Sequence, residues 1–184
     1  MSEALELAGT TIAIRAFQPS DRAALERFAR SLPTHDLLFL SRDLRQPKVI
    51  EAWLAATAGG EIASLVAWDG PDIVATTASI RDPLGWSPHV CEIRLLVLPV
   101  LRGKGLGRLL LERCVEAAIA GGATKLVARM TPDQVGAITL FEESGFRAEA
   151  LLRDQVRGED GALYDLAMLS LDPAKAAARQ AAFG

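Results

Sequence analysis

The segment that decides the fold lies near the middle of the chain and reads Val97-Leu98-Pro99-Val100-Leu101-Arg102-Gly103-Lys104-Gly105-Leu106-Gly107-Arg108. A β-favouring run precedes it and a helical apolar pattern follows it, so its glycines fall at a strand-to-helix turn. Such a turn aims free backbone N–H groups and the positive end of a helix dipole at one point. Glycine keeps the backbone accessible, and three cations add positive charge: Arg102, Lys104 and Arg108. The segment therefore predicts a phosphate-binding loop.

Other interpretations of the glycine loop fit the sequence less well. Glycines at such a turn also serve tight packing, and a glycine-rich loop alone is weak evidence. A Walker-type loop needs Ser or Thr after Gly-Lys, whereas Gly105 follows Lys104 here. A dinucleotide fingerprint needs G-x-G-x-x-G, whereas these glycines run G-x-G-x-G after a strand of a meander. We therefore expect neither nucleoside triphosphate hydrolysis nor nicotinamide or flavin binding.

The apolar patterns on both sides of the loop predict a mixed sheet flanked by helices. A short turn, Asp69-Gly70-Pro71-Asp72, predicts an antiparallel hairpin between two of its strands. The predicted strands are 11–17, 62–68, 73–80, 90–98, 124–130, 146–156 and 163–171. The predicted helices are 21–32, 47–58, 106–120 and 137–144.

The bulk composition excludes several classes of protein. The chain has 184 residues, of which 50% are hydrophobic and 23% charged, as expected for one globular domain. Its net charge of -3 provides no basic field for nucleic acid. No stretch resembles a signal peptide, and apolar runs such as 95–101 are too short to span a membrane. We therefore expect a cytoplasmic protein with neither a nucleic acid nor a membrane partner.

The residues that commonly bind metals or form disulfides are few. Cys91 and Cys114 lie in apolar surroundings without repeated spacing, which predicts reduced core thiols. His35 and His89 are the only histidines and lack metal-ligand spacing. We expect no metal site.

Two motifs carry a family resemblance. Residues 97–107 resemble the V-x-P-x-x-R-G-x-G-x-G cofactor motif of the GNAT superfamily of acyl-CoA-dependent N-acyltransferases. Residues 137–146, Ala-Ile-Thr-Leu-Phe-Glu-Glu-Ser-Gly-Phe, are similar to its A-I-x-L-Y-E-K-x-G-F segment. The similarity runs from about residue 90 to 171. It implies an α/β (α+β mixed) fold, a single domain over 1–171 with a mostly antiparallel sheet and helices on both faces, followed by an Ala-rich tail over 172–184.

The resemblance also implies acetyl-CoA as cosubstrate. Its pyrophosphate would lie on the glycine loop, and its pantetheine arm would pair with backbone groups where the strand ending at Val97 splays from its neighbour. Gln134 and Phe141 occupy the positions of a family Asn and Tyr, and Phe141 has no proton to donate. The implied cofactor-binding residues are Leu95, Leu96, Val97, Arg102, Gly103, Lys104, Gly105, Leu106, Gly107, Arg108, Gln134 and Phe141.

Two residues are candidates for the chemistry. Attack on a thioester needs a neutral amine, yet an alkyl ammonium near the lysine reference pKa of about 10.4 is almost wholly protonated at neutral pH. Glu92, five residues before Val97, occupies the position of a base in a number of family members. Strand alternation places Glu92 and Arg94 on one face, so a solvent-facing ion pair is the alternative. Tyr164 is the candidate to replace the tyrosine acid.

The sequence thus predicts an N-acetyltransferase that transfers an acetyl group to a primary amine of a small molecule or protein in a ternary complex. The alternative is a non-catalytic acyl-CoA-binding or regulatory module, because Phe141 stands where the family has a tyrosine that can protonate the leaving group. The expected acceptor walls, 31–47 and 153–163, match no motif. They contain acids that could attract an ammonium: Asp36, Asp43, Glu159 and Asp160. The sequence leaves open whether the chain forms a homodimer.

Overall fold

A computed structural model describes residues 3–7, 9–176 and 178, and in this part of the chain one sheet contains eight strands. The strands are β1 Glu3–Leu7, β2 Thr10–Ala16, β3 Ile62–Asp69, β4 Asp72–Ile80, β5 Val90–Val97, β6 Lys125–Met130, β7 Arg147–Arg157 and β8 Leu163–Leu171. The helices are α1 Arg22–Ser31, α2 Pro47–Ala58, α3 Leu106–Ala120 and α4 Val135–Glu143. Short 3-10 turns occur at Pro19–Asp21, Thr34–Leu37 and Pro99–Leu101.

The spatial order of the strands is β1-β2-β3-β4-β5-β6-β8-β7. All neighbouring pairs are antiparallel except β5 and β6, which are parallel and are joined by the crossover helix α3. The predicted hairpin forms around Asp69 and Asp72, which face each other across its end. The mixed, mostly antiparallel sheet inferred from the sequence is confirmed.

One strand was missed by the sequence analysis. Residues Glu3–Leu7 pair antiparallel with β2, with Ala4 opposite Ala13. The sequence Glu-Ala-Leu-Glu-Leu favours a helix more than a strand, so its extended form depends on pairing with the edge of the sheet.

The helices cover both faces of the sheet, as predicted. Helix α1 presents Ala24, Leu25, Phe28 and Ala29 to a core shared with α2, a spacing that makes one apolar stripe on a helix. Helices α3 and α4 cover the opposite face. Strand β5 serves both cores, because Cys91 and Ile93 pack beneath α3 whereas Leu96 packs beneath α1 and α2.

The two cysteines are buried free thiols. Burial raises the pKa of Cys91 and raises that of Cys114 to about 11. Both thiols are therefore protonated at neutral pH and act as small core residues, which leaves no cysteine nucleophile in the region of Cys91.

The Ala-rich tail predicted over 172–184 is only partly described. Residues 177 and 179–184 lie outside the described residues. At its beginning, the Asp172 carboxylate accepts a hydrogen bond from the backbone N–H of Lys175. Among the described residues, no helix is long and apolar enough to cross a membrane.

A buried ion pair fixes the entry of the chain into α1. Arg15 donates from Nη1 and Nη2 to the two carboxylate oxygens of Asp21, at 2.6 and 2.7 Å, and the backbone N–H of Gln18 donates to Asp21 Oδ2 at 2.8 Å. Asp21 is only 4% exposed. Burial by itself would raise the pKa of Asp21, but these hydrogen bonds lower it below its ordinary value.

We predict that Asp21→Asn lowers the free energy of unfolding by about 1–3 kcal/mol at neutral pH, because it weakens charge-assisted hydrogen bonds to a partly buried guanidinium. A carboxylate with a lowered folded-state pKa stabilises the fold above the ordinary Asp pKa of about 3.9 and loses that effect as the pH falls through its folded-state value. Urea unfolding from pH 7 to pH 3.5 measures both effects. If the free energies of unfolding of the parent and the variant differ by the same amount at every pH in this range, the lowered pKa of Asp21 is contradicted.

Candidate active site

The pairing between β5 and β6 is short. Three residues of β5 pair in parallel with β6, and the last pair joins Glu92 to Val127. Beyond it, β5 continues to Val97 with only β4 beside it, and β6 continues to Met130 with only β8 beside it. The edge of β5 from Ile93 to Val97 therefore faces a wedge and has no strand partner there. The backbone groups that point away from β4 along this edge are available to a ligand, apart from the Val97 carbonyl, which accepts hydrogen bonds from Arg102.

The glycine loop lies at the open end of this wedge. Gly103 and Gly105 have φ angles of +70° and +90°, a left-handed conformation that glycine adopts without steric cost. The first helical hydrogen bond of α3 runs from the Leu109 N–H to the Gly105 carbonyl. The N–H groups of residues 103–108 donate to no described residue. Six consecutive donors therefore surround the N-terminus of α3, an arrangement that binds anions.

A cavity of about 710 Å³ joins the loop to the wedge, a volume typical of a small-molecule site. Its walls are the free edge of β5, the loop, the end of β6 and helix α4. Most of the predicted cofactor residues lie on these walls: Leu95, Leu96, Val97, Arg102, Gly103, Gly105, Gly107, Arg108, Gln134 and Phe141. Two do not, because Lys104 is exposed on the loop and the side chain of Leu106 is buried in the core under α3.

Two of the three loop cations are already engaged. Arg102 donates from Nε and Nη2 to the Val97 carbonyl, at 3.1 Å each, and pairs with Asp36. Arg108 pairs with Glu143 of α4. Lys104 makes no ion pair with any described residue. The side chains of Arg102 and Arg108 are thus already paired within the chain, which the sequence pattern alone does not show.

Gly105 and Gly107 serve different purposes. A β-carbon on Gly105 would meet no atom within 4 Å, so Gly105 provides the left-handed backbone beside open space. A β-carbon on Gly107 would lie 3.4 Å from Leu140 and 3.7 Å from both Leu95 and Val97. These are ordinary van der Waals distances, so Gly107 lies where α3 packs against α4 and β5, and the space there holds no more than a methyl group.

The two family positions that depart from the motif both lie on α4 or at its start. Gln134 accepts the backbone N–H of Thr131 through Oε1 at 3.3 Å, so its side chain closes the preceding turn. Phe141 is 4% exposed and packs edge-on against Phe146, with ring centroids 5.0 Å apart. Phe141 is thus a packing residue that also forms part of the cavity wall.

Glu92 lies at the last residue pair before the wedge. It shares a face with Arg94, whose Nε donates to Glu92 Oε1 at 2.8 Å. Glu92 Oε2 makes no hydrogen bond to a described residue and lies 3.7 Å from Nη2 of Arg129 on β6. The side chain is 14% exposed and is not one of the cavity walls. One oxygen of the carboxylate is thus held by Arg94 and the other is oriented towards Arg129.

Tyr164 lies on the α1–α2 face of the sheet, outside the cavity walls. Its hydroxyl donates to Asp160 Oδ2 at 2.7 Å, and its ring contacts the His35 ring edge-on. This hydrogen bond raises the pKa of Tyr164, and partial burial and the Asp160 charge add to the effect. To protonate a leaving group, the tyrosine would have to release Asp160 first.

The sequence analysis missed a polar group beside the cavity. His35 Nε2 lies 2.7 Å from Asp133 Oδ2 and 3.2 Å from Thr131 Oγ1, and Asp133 is on the cavity wall. Burial would raise the pKa of Asp133, but hydrogen bonds from Thr131 and His35 lower it below its ordinary value. No local motif links His35 to Asp133, since only the folded chain brings them together.

The loop between α1 and α2 is fastened to the β7–β8 hairpin. Arg45 Nη2 pairs with Glu159 Oε1 at 2.6 Å, and Thr34 donates to Glu159 Oε2 at 3.3 Å. The four acids considered for an acceptor ammonium all have partners within the chain: Asp36 with Arg102, Asp43 and Glu159 with Arg45, and Asp160 with Tyr164. Within the described residues, no cluster of three His, Cys, Asp or Glu side chains could hold a metal ion.

Comparisons with known proteins agree with this geometry. A family model described as "Acetyltransferase (GNAT) family" matches residues 22–146. A GNAT-family acetyltransferase from Streptococcus pneumoniae has 24% sequence identity, covers 87% of this chain and 98% of its own, and superposes with a TM-score of 0.74. YncA from Salmonella typhimurium, solved with its cofactor acetyl-CoA, has 23% identity, coverages of 88% and 93%, and a TM-score of 0.74.

A third similar structure is spermidine N-acetyltransferase from Vibrio cholerae, solved with CoA and spermine. It has 16% identity, covers 90% of this chain and 98% of its own, and has a TM-score of 0.73. No curated protein sequence gives a significant match. The family match spans more than half of the chain and includes the glycine loop and α4. The chain is therefore a member of the GNAT acetyltransferase family.

Proposed function

We propose that this protein is an N-acetyltransferase that transfers an acetyl group from acetyl-CoA to a primary amine by direct attack in a ternary complex. The observation that carries the proposal is the proximity of three features. Six free N–H groups at the start of α3 and the unpaired edge of β5 line one cavity, and Glu92 lies just outside its walls, where the pairing of β5 with β6 ends, 3.7 Å from Arg129 on the wall. Each suits a different part of the reaction.

The residues present fit acetyl-CoA. The N–H groups of residues 103–108 suit the pyrophosphate, and Gly105 leaves space beside them. Of the three residues expected to bind the pantetheine arm, Leu95 and Val97 suit its amide groups, because their backbone N–H and C=O groups face away from β4, whereas those of Leu96 face β4. The Val97 carbonyl already accepts from Arg102. The side chains of Leu95 and Leu140 provide an apolar wall for the arm. Acetyl-CoA supplies the activated acetyl group as a thioester.

The ammonium form of the acceptor first releases one proton to solvent, and the neutral amine then loses a second proton as it is acylated. The amine nitrogen forms a bond to the thioester carbonyl carbon, the carbon–sulfur bond breaks, and the sulfur leaves as a thiolate. We propose that Glu92 accepts the amine proton through Oε2, directly or through a water molecule, while Arg94 holds Oε1. Arg94 thus keeps the carboxylate in one orientation.

The leaving thiolate needs little help. A thiol has a reference pKa of about 8.5, so the thiolate is a much better leaving group than an alkoxide. Phe141 in place of tyrosine is therefore compatible with turnover. Tyr164 stays a candidate acid, and its hydroxyl would have to exchange its hydrogen bond to Asp160 for one to the leaving sulfur.

An acceptor amine is supported by the chemistry of the similar structures. The Vibrio cholerae protein of the same fold is an N-acetyltransferase solved with spermine, a polyamine. Phe141 and the guanidiniums around Glu92 favour a second candidate, a module that binds acyl-CoA without turnover. Release of CoA in the presence of a panel of amines separates the two, since the module binds acetyl-CoA and releases no CoA with any acceptor.

We predict that Gly105→Val weakens acetyl-CoA binding at least about tenfold, because the side chain fills space beside the free N–H groups and strains the left-handed turn. Gly60→Val is the matched control, since Gly60 has φ of +79°, has no atom near its β-carbon and lies away from the cavity. Calorimetry with acetyl-CoA and thermal unfolding measure both variants. If both variants lose the same affinity for acetyl-CoA, the placement of its pyrophosphate on the glycine loop is contradicted.

We predict that Glu92→Gln lowers turnover by about 10²–10⁴-fold and leaves acetyl-CoA affinity unchanged, because the amide keeps the shape of the side chain and cannot accept the proton. Arg94→Gln is the control, as it removes the guanidinium that donates to Glu92 Oε1 but keeps the carboxylate. The base assignment fails if Glu92→Gln keeps the parent's turnover and pH–rate profile, or if the control loses as much.

We predict that the parent turns over without a tyrosine on α4, so that Phe141→Tyr changes its rate by no more than about tenfold. Tyr164→Phe tests the replacement acid, and a loss of turnover there with retained acetyl-CoA affinity identifies it. Steady-state rates with one good acceptor amine decide both. Activity that appears only in Phe141→Tyr rejects the prediction and supports the binding module.

A further inference from the structure

Arg129 lies at the end of the cavity that is remote from the glycine loop. It is near the end of β6, on the cavity wall, with Nη2 3.7 Å from Glu92 Oε2. Arg102 marks the loop end of the cavity, because it donates a hydrogen bond to the Val97 carbonyl. Glu92 lies five residues before Val97 on an extended strand, so roughly 16 Å of strand separate Glu92 from Val97. An anion that binds at Arg129 is therefore separate from the cofactor pyrophosphate and adjacent to the proposed base.

Arg129 differs from the other charged side chains on the cavity wall in its hydrogen bonds. Six charged side chains line the cavity, and five of them have a close partner among the described residues: Asp36 with Arg102, Arg108 with Glu143, and Asp133 with His35. The Arg129 side chain makes no hydrogen bond to a described residue, and its Nε is buried without an acceptor there. Within the same part of the chain, its one ionic contact is the longer one to Glu92. The terminal nitrogens, the part of this side chain that remains for a ligand to reach, likewise have no hydrogen-bond acceptor among the described residues.

The charges around Arg129 are unbalanced in favour of the positive sign. Glu92 is the one carboxylate that contacts both Arg94 and Arg129 in the described part of the chain, and Arg94 holds its nearer oxygen. Ser41, the other partner of Arg94, is neutral. Two guanidiniums thus share one carboxylate at the place where an acceptor would approach. A polycationic acceptor matches this arrangement poorly, whereas an anionic group matches it well.

We propose that the acceptor is an amine that carries an oxyanion, a carboxylate or phosphonate, on the carbon that bears nitrogen or the next carbon, and that Arg129 binds this oxyanion. The inference rests on the proposed function and specifies its substrate class. The terminal nitrogens of the Arg129 side chain, which is 36% exposed, are suited to paired hydrogen bonds with such a group. Because Glu92 lies beside Arg129, the amine and the oxyanion of one small molecule can reach the two side chains together.

The first experiment compares two sets of acceptors, and the members of each set differ mainly in whether they carry a carboxylate, a phosphonate or neither. CoA release is followed with ethylamine, glycine and aminomethylphosphonate, and with 3-methylbutylamine, L-leucine and the phosphonate analogue of leucine, with spermidine as a polycation. We expect kcat/KM to be at least about tenfold higher for an anionic member than for the neutral amine of the same set. The carboxylate and phosphonate members identify which oxyanion is preferred. Equal or better use of neutral amines or spermidine overturns the proposal.

The second experiment changes Arg129. Arg129→Gln should lower the ratio of kcat/KM for the preferred anionic acceptor to kcat/KM for the neutral amine at least about tenfold, since an effect through the nearby Glu92 changes both acceptors alike and cancels in the ratio. Arg129→Lys should recover part of the loss, since it restores the charge without the planar fork. If Arg129 has only a structural role, Arg129→Gln lowers kcat/KM equally for both acceptors and Arg129→Lys does not restore the preference for the anionic one. That result also overturns the proposal.

Calorimetry on the parent protein separates this inference from the proposed function. The acceptors of both sets are titrated into the complex with CoA, and no turnover is needed for the readout. Binding of an anionic member, but not of its neutral counterpart, supports the inference even if no amine is acetylated, in which case the proposed function alone fails. Absence of any preference for the anionic members overturns the inference even if CoA release with amines is observed.

Discussion

Hydrogen bonding between β5 and β6 ends at Glu92 and Val127, and the site depends on where it ends. The backbone groups of a strand must be paired with something, so a parallel neighbour that departs halfway leaves an edge that accepts a ligand. The crossover that parallel strands require is α3, and it begins at the open end of this edge. One feature of the sheet thus provides both the unpaired strand edge and the helix N-terminus on which the proposed cofactor site rests.

The two faces of the sheet divide the remaining tasks. On the side of α3 and α4, Gly107 and Phe141 shape a close-packed wall beneath the cofactor groove. On the other side, beneath the loop that joins α1 to α2, the polar residues Glu92, Arg94 and Arg129 point to the region where an acceptor would enter. Because neighbouring residues of β5 alternate between these faces, a single strand contributes to both substrate sites.

Much of the fold could be predicted from the sequence. Period-two and helical apolar patterns marked every strand from β2 to β8 and helices α1 to α4, and the spacing of Gly103, Gly105 and Gly107 located the loop. Strand β1 was missed, because its five residues carry a helical composition and their conformation is imposed by β2. Local pattern predicts an element only where local and tertiary preferences agree.

The partners of the site residues could not be predicted in the same way. Nothing near Arg102 in the sequence indicates Asp36, and nothing near Glu92 indicates Arg129, because these contacts join segments that are distant along the chain. Cationic side chains were counted as free charge when the fold pairs two of them with acids. Charge in a sequence sets what a segment can attract, but the folded arrangement decides whether that charge is still available.

The ion pair between Arg102 and Asp36 has a consequence for the order in which substrates bind. Arg102 belongs to the cofactor loop, and Asp36 lies in the turn Thr34–Leu37 on the acceptor side, so one contact spans both binding sites. A phosphate that draws Arg102 towards itself releases the turn that borders the acceptor. Thermodynamic linkage then requires the acceptor to change the cofactor's affinity by the same factor. The two substrates of this protein are thereby expected to bind cooperatively.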